Sequence, residues 1–190
     1  GAAILILWEA VSWYLLERAE VQMAQSKLPY VHEVLAAFGT YGGVLAAEGW
    51  ITFTNAAWGF LAGGAAGALL AVLMSASRWM ERLAFPYAVA SQMVPILGLA
   101  PIVFGIVRNE DLARVLIAAY ITFFPVALNM LRGLRSVPPA SLELMRACAA
   151  GPWSVYRKLR LPASLPGLFS GLKIAAPLAV TGAILVELMG

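Results

Sequence analysis

The chain has 190 residues, of which 62% are hydrophobic and 12% are charged, and its formal net charge at pH 7 is +3. Soluble domains are about half apolar and about a quarter charged, so a soluble fold of this length could not bury so much apolar surface. The composition therefore predicts an integral membrane protein. The single cysteine, Cys148, excludes an internal disulfide and a metal site made of several cysteines.

Apolar runs of about the length of a bilayer recur along the chain. A helix needs about 20 residues to cross the roughly 30 Å of hydrocarbon in a membrane. Five spans are predicted, at about residues 2–16, 51–74, 84–107, 112–131 and 170–190. No segment shows the alternation that is typical of membrane barrel strands. The sequence therefore predicts an all-α integral membrane fold, a polytopic helical bundle in which residues 1–190 form a single domain.

The first span and the connection after it have distinct features. The span ends in Trp13 and Tyr14, which suit the headgroup level of a membrane. It lacks the basic leader of a signal peptide, and both chain termini fall inside apolar runs, so we expect truncation at both ends. In the connection, residues 30–47 have apolar side chains at helical spacing, which predicts a short helix along the membrane surface.

Small, proline and polar residues mark the later spans. Gly63 and Gly67 form a small-xxx-small face in the second span, which favours close helix packing. Prolines break or bend the third to fifth spans, at Pro86, Pro95, Pro101, Pro125 and Pro177. Three polar residues, Ser91, Gln92 and Asn129, lie within spans. They either line a translocation path or hydrogen-bond neighbouring helices near the proline kinks.

Acidic residues inside the predicted spans are Glu9 and Glu187. An intramembrane acid is by default a functional candidate, although for Glu187 a packed, hydrogen-bonded structural role is favoured. His32 has no metal-ligand partners at useful spacing, so we expect a solvated surface histidine and no metal site. Without a glycine-rich phosphate loop or a nucleophile–histidine set, the chain is expected neither to bind ATP by that route nor to be an enzyme.

Basic residues are distributed unevenly between the connections. With a cytoplasmic N-terminus, the inner connections at 75–83 and 132–168 hold eight Lys or Arg residues. Four are counted on the outer side, namely Arg18, Lys27, Arg108 and Arg114. Cytoplasmic loops of membrane proteins carry an excess of Lys and Arg. We therefore predict that the N-terminal side and the long connection at 132–168 are cytoplasmic.

The polar stretch at 136–168 predicts two short helices. The first covers about 141–150, where Gly151 suits the C-cap. Pro152 then suits the first turn of a second helix, which is expected to end before Leu161-Pro162.

Anionic headgroups would explain the basic residues of this stretch. They do not explain the first helix, which presents Leu142, Met145 and Ala149 beside little charge. A short small-residue helix of this kind is better explained as an element that a partner grips in a groove.

This stretch resembles the EAA loop of ABC-transporter permeases, the membrane subunits of binding-protein-dependent importers. The family pattern is Glu-Ala-Ala, three residues, Gly, and then Leu-Pro about a dozen residues later. The corresponding positions here are Glu143, Leu144, Met145, Ala149 and Leu161-Pro162. Two alanines are thus replaced by larger residues, and the glycine is replaced by alanine. The turn after the first helix is therefore displaced, or the partner's groove is wider.

Further stretches extend the resemblance over about residues 51–190. The run 162–173 is similar to the segment that leads into the family's next span. The runs 95–101, 123–129 and 133–137 resemble the branch that imports nitrate, sulfonates, taurine and thiamine-pyrimidine precursors. The resemblance implies a multi-pass protein of the bacterial inner membrane, with a sixth span after the fifth.

The resemblance also implies partners and a mechanism. Two permeases, expected to be a homodimer, would pair around a path for a small polar or organic solute. Two separate ATPase subunits would bind ATP and Mg, and a periplasmic or lipid-anchored solute-binding protein would deliver the solute. This chain would bind no cofactor itself. Its expected ATPase-coupling residues are Ser141, Leu142, Glu143, Leu144, Met145, Arg146, Ala149, Gly151, Trp153, Leu161 and Pro162.

Two other classes of protein fit an apolar chain of this kind. A secondary transporter or channel would work without an ATPase, and it would favour intramembrane charges or an inverted repeat, neither of which is evident. A membrane-assembly scaffold would have no path. Co-purification with an ATPase subunit separates these alternatives.

Overall fold

The computed structural model describes residues 2–15 and 28–188. Within these ranges the regular elements are helices, as predicted, with no strands. In chain order they are α1 (Ala2–Trp13), α2 (Val31–Ala76), α3 (Arg78–Ser91), α4 (Ile96–Val107), α5 (Glu110–Arg135), α6 (Pro139–Ala147), α7 (Pro152–Val155) and α8 (Leu161–Glu187). The chain divides into two compact units, Gly1–Trp50 and Ile51–Gly190.

In the first unit, side chains of α1 bind the backbone at the start of α2. The Glu9 carboxylate accepts hydrogen bonds from the Val31 N–H at 2.7 Å and lies 2.6 Å from Nδ1 of His32. Trp8 Nε1 donates to the Pro29 carbonyl at 3.0 Å. Glu9 thus has a structural role at a helix N-terminus, where a carboxylate is favourable. The His32 side chain is 70% exposed, as expected, and its pairing with Glu9 was not predicted.

α2 is one unbroken helix of 46 residues. The prediction of a separate surface helix at 30–47 is therefore wrong, since that segment is continuous with the predicted second span at 51–74. No proline lies between them, and a glycine such as Gly49 costs only about 1 kcal/mol relative to alanine in a helix, which is too little to end one.

α3 and α4 together replace the predicted third span, and they are bent by 97° at a short break. Pro95 is the N-cap of α4, with extended backbone angles. The other two prolines of this span, Pro86 and Pro101, lie inside α3 and α4. The break frees carbonyl groups at the end of α3, and the Tyr120 hydroxyl of α5 donates to one of them, that of Ser91.

In the second unit, α5 packs closely against α2 and α8. A Cβ added at Gly63 would lie 2.9 Å from the Ala119 Cα, and one added at Gly67 would lie 3.1 Å from the Ala127 N. The small-xxx-small face predicted for these two glycines is confirmed. Gly171 of α8 makes an equally close approach to α5, because a Cβ there would lie 2.9 Å from the Pro125 carbonyl oxygen.

Within the described ranges, three helices are long and apolar enough to cross a membrane, namely α2, α5 and the continuous helix Pro152–Glu187. The bent pair α3–α4 makes a fourth if it counts as one span. α1 has 12 residues and is shorter than this length. The chain is therefore an all-α protein with several candidate membrane spans, while the prediction of five spans stays a prediction.

Candidate functional site

The first helix of the predicted coupling stretch is α6, which stands apart from the core. It begins at Pro139, after the extended N-cap Pro138, and it contains no buried residue. Glu143, Leu144 and Arg146 are exposed, and the Leu144 side chain is 65% exposed. The Leu144 side chain is therefore accessible to a partner.

The other face of α6 is turned towards the chain's own helices. Ser141, Leu142 and Met145 are half-buried. Leu142 lines cavities between α6 and the ends of neighbouring helices. Of the three apolar residues expected to face a partner, Leu142 and Met145 thus lie on the inner face, and Ala149 is exposed.

α6 ends in a left-handed turn at Ala149, whose φ is 51°. The Ala149 N–H donates to the Arg146 carbonyl at 2.9 Å, and the Ala150 N–H donates to the Met145 carbonyl at 3.0 Å. These two bonds form a Schellman motif, in which the left-handed residue is usually glycine. The turn therefore occurs at the position of the family's glycine, and the displacement considered above is not seen.

Gly151 does not cap α6, so that prediction is wrong. Its φ is −66° and it is the N-cap of α7, with Pro152 in the first turn as predicted. The hydrogen bonds at Ala149 have already closed α6 before the chain reaches Gly151, so no left-handed residue is needed there.

The second helix does not end at Leu161-Pro162, which contradicts the prediction. Residues Pro152–Glu187 form one continuous helix of 36 residues. A π-helical turn, Tyr156–Arg160, precedes Pro162, and the Leu161 N–H bonds to the Tyr156 carbonyl. A proline within a helix clashes with the preceding turn and lacks an N–H, and this wider turn lies where that disturbance falls. The helix that contains the predicted fifth span, 170–190, consequently starts earlier in the chain.

Packing anchors the start of this long helix to the bundle. Tyr156 and Leu161 contact a buried apolar cluster formed by Ala71, Met74, Met130, Leu131 and Leu134. The Tyr156 hydroxyl lies 3.0 Å from the Ser75 Oγ of α2. Trp153 stacks on Tyr156 with ring centroids 6.5 Å apart and remains 70% exposed, and Pro162 is also exposed.

The structure does not bring the three candidate path residues to one place. Ser91 and Gln92 lie at the end of α3, and the Tyr120 hydroxyl contacts the Ser91 carbonyl. Asn129 lies nine residues beyond Tyr120 on α5, a rise of roughly 13 Å. Its amide donates to the Pro125 carbonyl of the same helix at 2.7 Å.

A cluster of polar side chains, which was not predicted from the sequence, links α2, α5 and α8 near the start of α5. Thr52 donates to the Glu187 carboxylate at 2.8 Å, which supports the structural role favoured for this acid. Asn55 donates to Asp111 at 2.7 Å, and the 6% exposed side chain of Arg114 contacts Glu110 and Asp111. The spacing Glu110-x-x-x-Arg114 was the available signal. In the described residues no group of three His, Cys, Asp or Glu is placed to hold a metal.

Residues 63–190 match the family "Binding-protein-dependent transport system inner membrane component". Over 124 residues the chain is 36% identical to the formylaminopyrimidine transport permease protein ThiX of Halalkalibacterium halodurans, covering 65% of this chain and 50% of that protein. Over 110 residues it is 34% identical to the riboflavin transport system permease protein RibX of Chloroflexus aurantiacus, covering 58% and 41%. Over 131 residues it is 26% identical to the nitrate import permease protein NrtB of Leptolyngbya laminosa, covering 69% and 47%.

These matches confirm the resemblance predicted from the stretch at 136–168 and its flanks. The chain spans about half the length of these relatives, at 50%, 41% and 47%. The family match starts at residue 63 and contains the later part of α2 and every described element after it.

Proposed function

The chain belongs to the family of binding-protein-dependent transport system inner membrane components, and from this premise we propose that it is the permease subunit of an ATP-driven importer and couples to a separate ATPase through α6. The observation that carries this proposal is the form of the coupling stretch. An exposed helix closed by a left-handed turn leads directly into a helix of 36 residues that packs in the bundle.

The exposed side of α6 is the proposed contact with the ATPase. Leu144 would fill an apolar groove, while Glu143 and Arg146 would make polar contacts at its rim. Trp153 would extend the contact beyond the turn at Ala149. Leu142 and Met145 would instead hold α6 against the permease, because they lie on its inner face.

Force would pass from α6 to the membrane through the helix Pro152–Glu187. ATP binding with Mg on the ATPase subunits would move α6, and the long helix would tilt against α5, so that a path between two copies of the permease faces alternately out and in. Ser91, Gln92 and Asn129 remain the candidate path residues. The N-terminal side would be cytoplasmic in a bacterial inner membrane.

The transported solute is proposed to be a small polar or organic molecule that a solute-binding protein delivers. The relatives named above are described as permeases for formylaminopyrimidine, riboflavin and nitrate. These solutes differ widely in size and charge, so they support a class of importer and no single substrate.

The proposal is tested with Leu144→Asp and Glu143→Ala in the full transporter. For Leu144→Asp we expect the amount of co-purified ATPase subunit to fall by about tenfold or more, because an unpaired carboxylate in an apolar groove costs several kcal/mol. ATP hydrolysis stimulated by the binding protein would fall with it. Glu143→Ala should have a smaller effect, since it removes a contact at the rim.

Lys158→Ala is the matched control, because Lys158 is exposed on the adjoining π-helical turn and lies outside α6. It should retain the ATPase subunit. Normal retention and transport in both α6 variants would refute coupling through this face. Solute flux through the permease alone, without the ATPase subunit, would favour a channel or secondary transporter.

A further inference from the structure

A cavity of about 450 Å³ lies between α6 and the adjacent ends of α2, α3 and α5. Its lining includes four arginines, Arg78, Arg82, Arg135 and Arg160, and one carboxylate, that of Glu81. Arg160 is half-buried and the other three arginines are exposed at the mouth of the cavity. Their positive charges repel each other across this opening. Such an arrangement favours the binding of an anion.

The charges of this cavity do not cancel within the described residues. Glu81 forms a salt bridge with Arg135, which connects α3 to α5. Arg78, Arg82 and Arg160 form no salt bridge in the described part of the chain. One carboxylate against four guanidinium groups leaves three positive charges. The first turn of α3 also lines the cavity, and the positive end of its helix dipole adds to them.

A second cavity, of about 620 Å³, adjoins the first and shares Ser75, Leu142 and Arg160 with it. Apart from Arg146, the rest of its lining is largely apolar or aromatic and includes Val72, Ala76, Trp153, Val155 and Tyr156. The two cavities therefore place a cationic compartment beside a mainly apolar one. A ligand that fits both is an amphiphilic anion.

We propose that these cavities bind an anionic phospholipid, with its phosphate among Arg78, Arg82 and Arg160 and its glycerol and proximal acyl carbons in the apolar compartment. Guanidinium groups bind phosphate oxygens in a bidentate manner, and basic pockets on the cytoplasmic side of membrane proteins suit anionic headgroups. The site rests on the proposed function for its cytoplasmic placement.

A free phosphate ion fits the site less well than a lipid. The phosphate ion would fill only part of the cavity of 450 Å³, which has room for many water molecules at about 30 Å³ each. It would also leave the apolar compartment empty.

Leu142 forms part of the wall of both cavities, so a bound lipid would contact the inner face of α6. Anionic lipid would thereby hold α6 in position and raise the efficiency of coupling.

The test measures phosphatidylglycerol retained by the full transporter, purified from bilayers of phosphatidylcholine with and without phosphatidylglycerol. Retained lipid is quantified by native mass spectrometry. The variant Arg78→Gln/Arg160→Gln should bind phosphatidylglycerol at least about tenfold more weakly, because it loses two guanidinium groups that form charged hydrogen bonds with the phosphate. Phosphatidylglycerol should also stimulate transport in the wild type and not in this variant.

The matched control is Arg132→Gln/Arg157→Gln, which removes two exposed arginines of the same region that do not line either cavity. It should retain phosphatidylglycerol as the wild type does. Equal retention by both double variants would overturn the proposal. Arginine-dependent binding of inorganic phosphate by a transporter that retains no phosphatidylglycerol would overturn the lipid as occupant.

Lipid retention and ATPase retention are separate readouts. A transporter that loses phosphatidylglycerol but keeps its ATPase subunit supports the lipid site independently of the coupling role. Loss of the ATPase subunit with normal lipid retention would instead bear on the proposed function. Arg78→Lys/Arg160→Lys keeps the charge, and partial retention in this variant would show that the fold survives substitution at these positions.

Discussion

Ala149 has a positive φ, which places it in the left-handed region that residues other than glycine rarely adopt. The left-handed region costs a residue with a Cβ about 1–2 kcal/mol. Here the two hydrogen bonds that close α6 hold the residue at φ 51°. Strain of this kind persists only where the surrounding contacts fix the backbone.

Ala149→Gly should therefore stabilise the protein. We expect a gain of about 1 kcal/mol, which corresponds to a rise in Tm of roughly 2–4 °C for a chain of this size. Thermal unfolding in detergent, followed by circular dichroism, measures the change. Ala150→Gly is the control, because Ala150 does not have a positive φ. A gain for the control and none for Ala149→Gly would contradict this account of the turn.

Some features of single residues could not be predicted from the sequence. The charge count places Arg114 with the outer connections, and nothing in it predicts that the side chain is 6% exposed and paired with Glu110 and Asp111. Position in a hydropathy profile does not reveal partners supplied by the same helix. Likewise, Gly151 suits a cap by residue type alone, but the hydrogen bonds of the preceding turn decide where α6 ends.

At the scale of elements, α5 is held by glycine faces on the helices to either side. Gly63 and Gly67 remove side-chain volume where the backbones of α2 and α5 meet, and Gly171 does so for α8. Without a hydrophobic driving force between helices in lipid, close packing of this kind is a main source of association.

Gly63→Ala tests this packing. The added Cβ would lie 2.9 Å from the Ala119 Cα and also clash with the Ala119 carbonyl group, so we expect a destabilisation of about 1–3 kcal/mol. The control, Gly43→Ala, lies on the same helix with nothing within 4 Å, and it should gain up to about 1 kcal/mol from helix propensity. Thermal unfolding of both variants gives the comparison, and changes of the same sign would refute the packing argument.

Element boundaries were less predictable than element types. Hydropathy identifies where apolar side chains lie, whereas a helix continues for as long as its backbone hydrogen bonds can form. α2 therefore starts at Val31 and the last helix at Pro152, well before the apolar runs that identified them. The break before Pro95 was predictable, because a proline cannot donate to the preceding turn.

At the scale of the whole molecule, the composition was sufficient to predict an all-α membrane protein. The coupling stretch was found through its ordered motif, and the match over residues 63–190 confirmed the family. Neither the composition nor the motif predicted that Pro152–Glu187 is one continuous helix. The π-helical turn that precedes Pro162 has no sequence signature of its own. That continuous helix connects the exposed surface near α6 to the packed bundle.

If the chain couples to an ATPase as proposed, loosening this connection should uncouple transport from ATP hydrolysis. Arg157→Gly/Lys158→Gly places two glycines in the exposed part of the π-helical turn, at about 1 kcal/mol each in helix stability. We expect normal ATPase retention with less solute transported per ATP hydrolysed. Arg157→Ala/Lys158→Ala removes the same charges while keeping the helix, and it should transport normally. An unchanged ratio in the glycine variant would argue against a rigid lever.

Cys148, the only cysteine of the chain, is exposed and forms the C-cap of α6. A spin label or fluorophore attached to its thiol would sit one residue before the left-handed turn at Ala149. In a transporter with two copies of this chain, the pair of labels would give the separation of the two turns by dipolar spectroscopy. Comparing that distance with and without nucleotide would measure how far the two α6 helices move relative to each other.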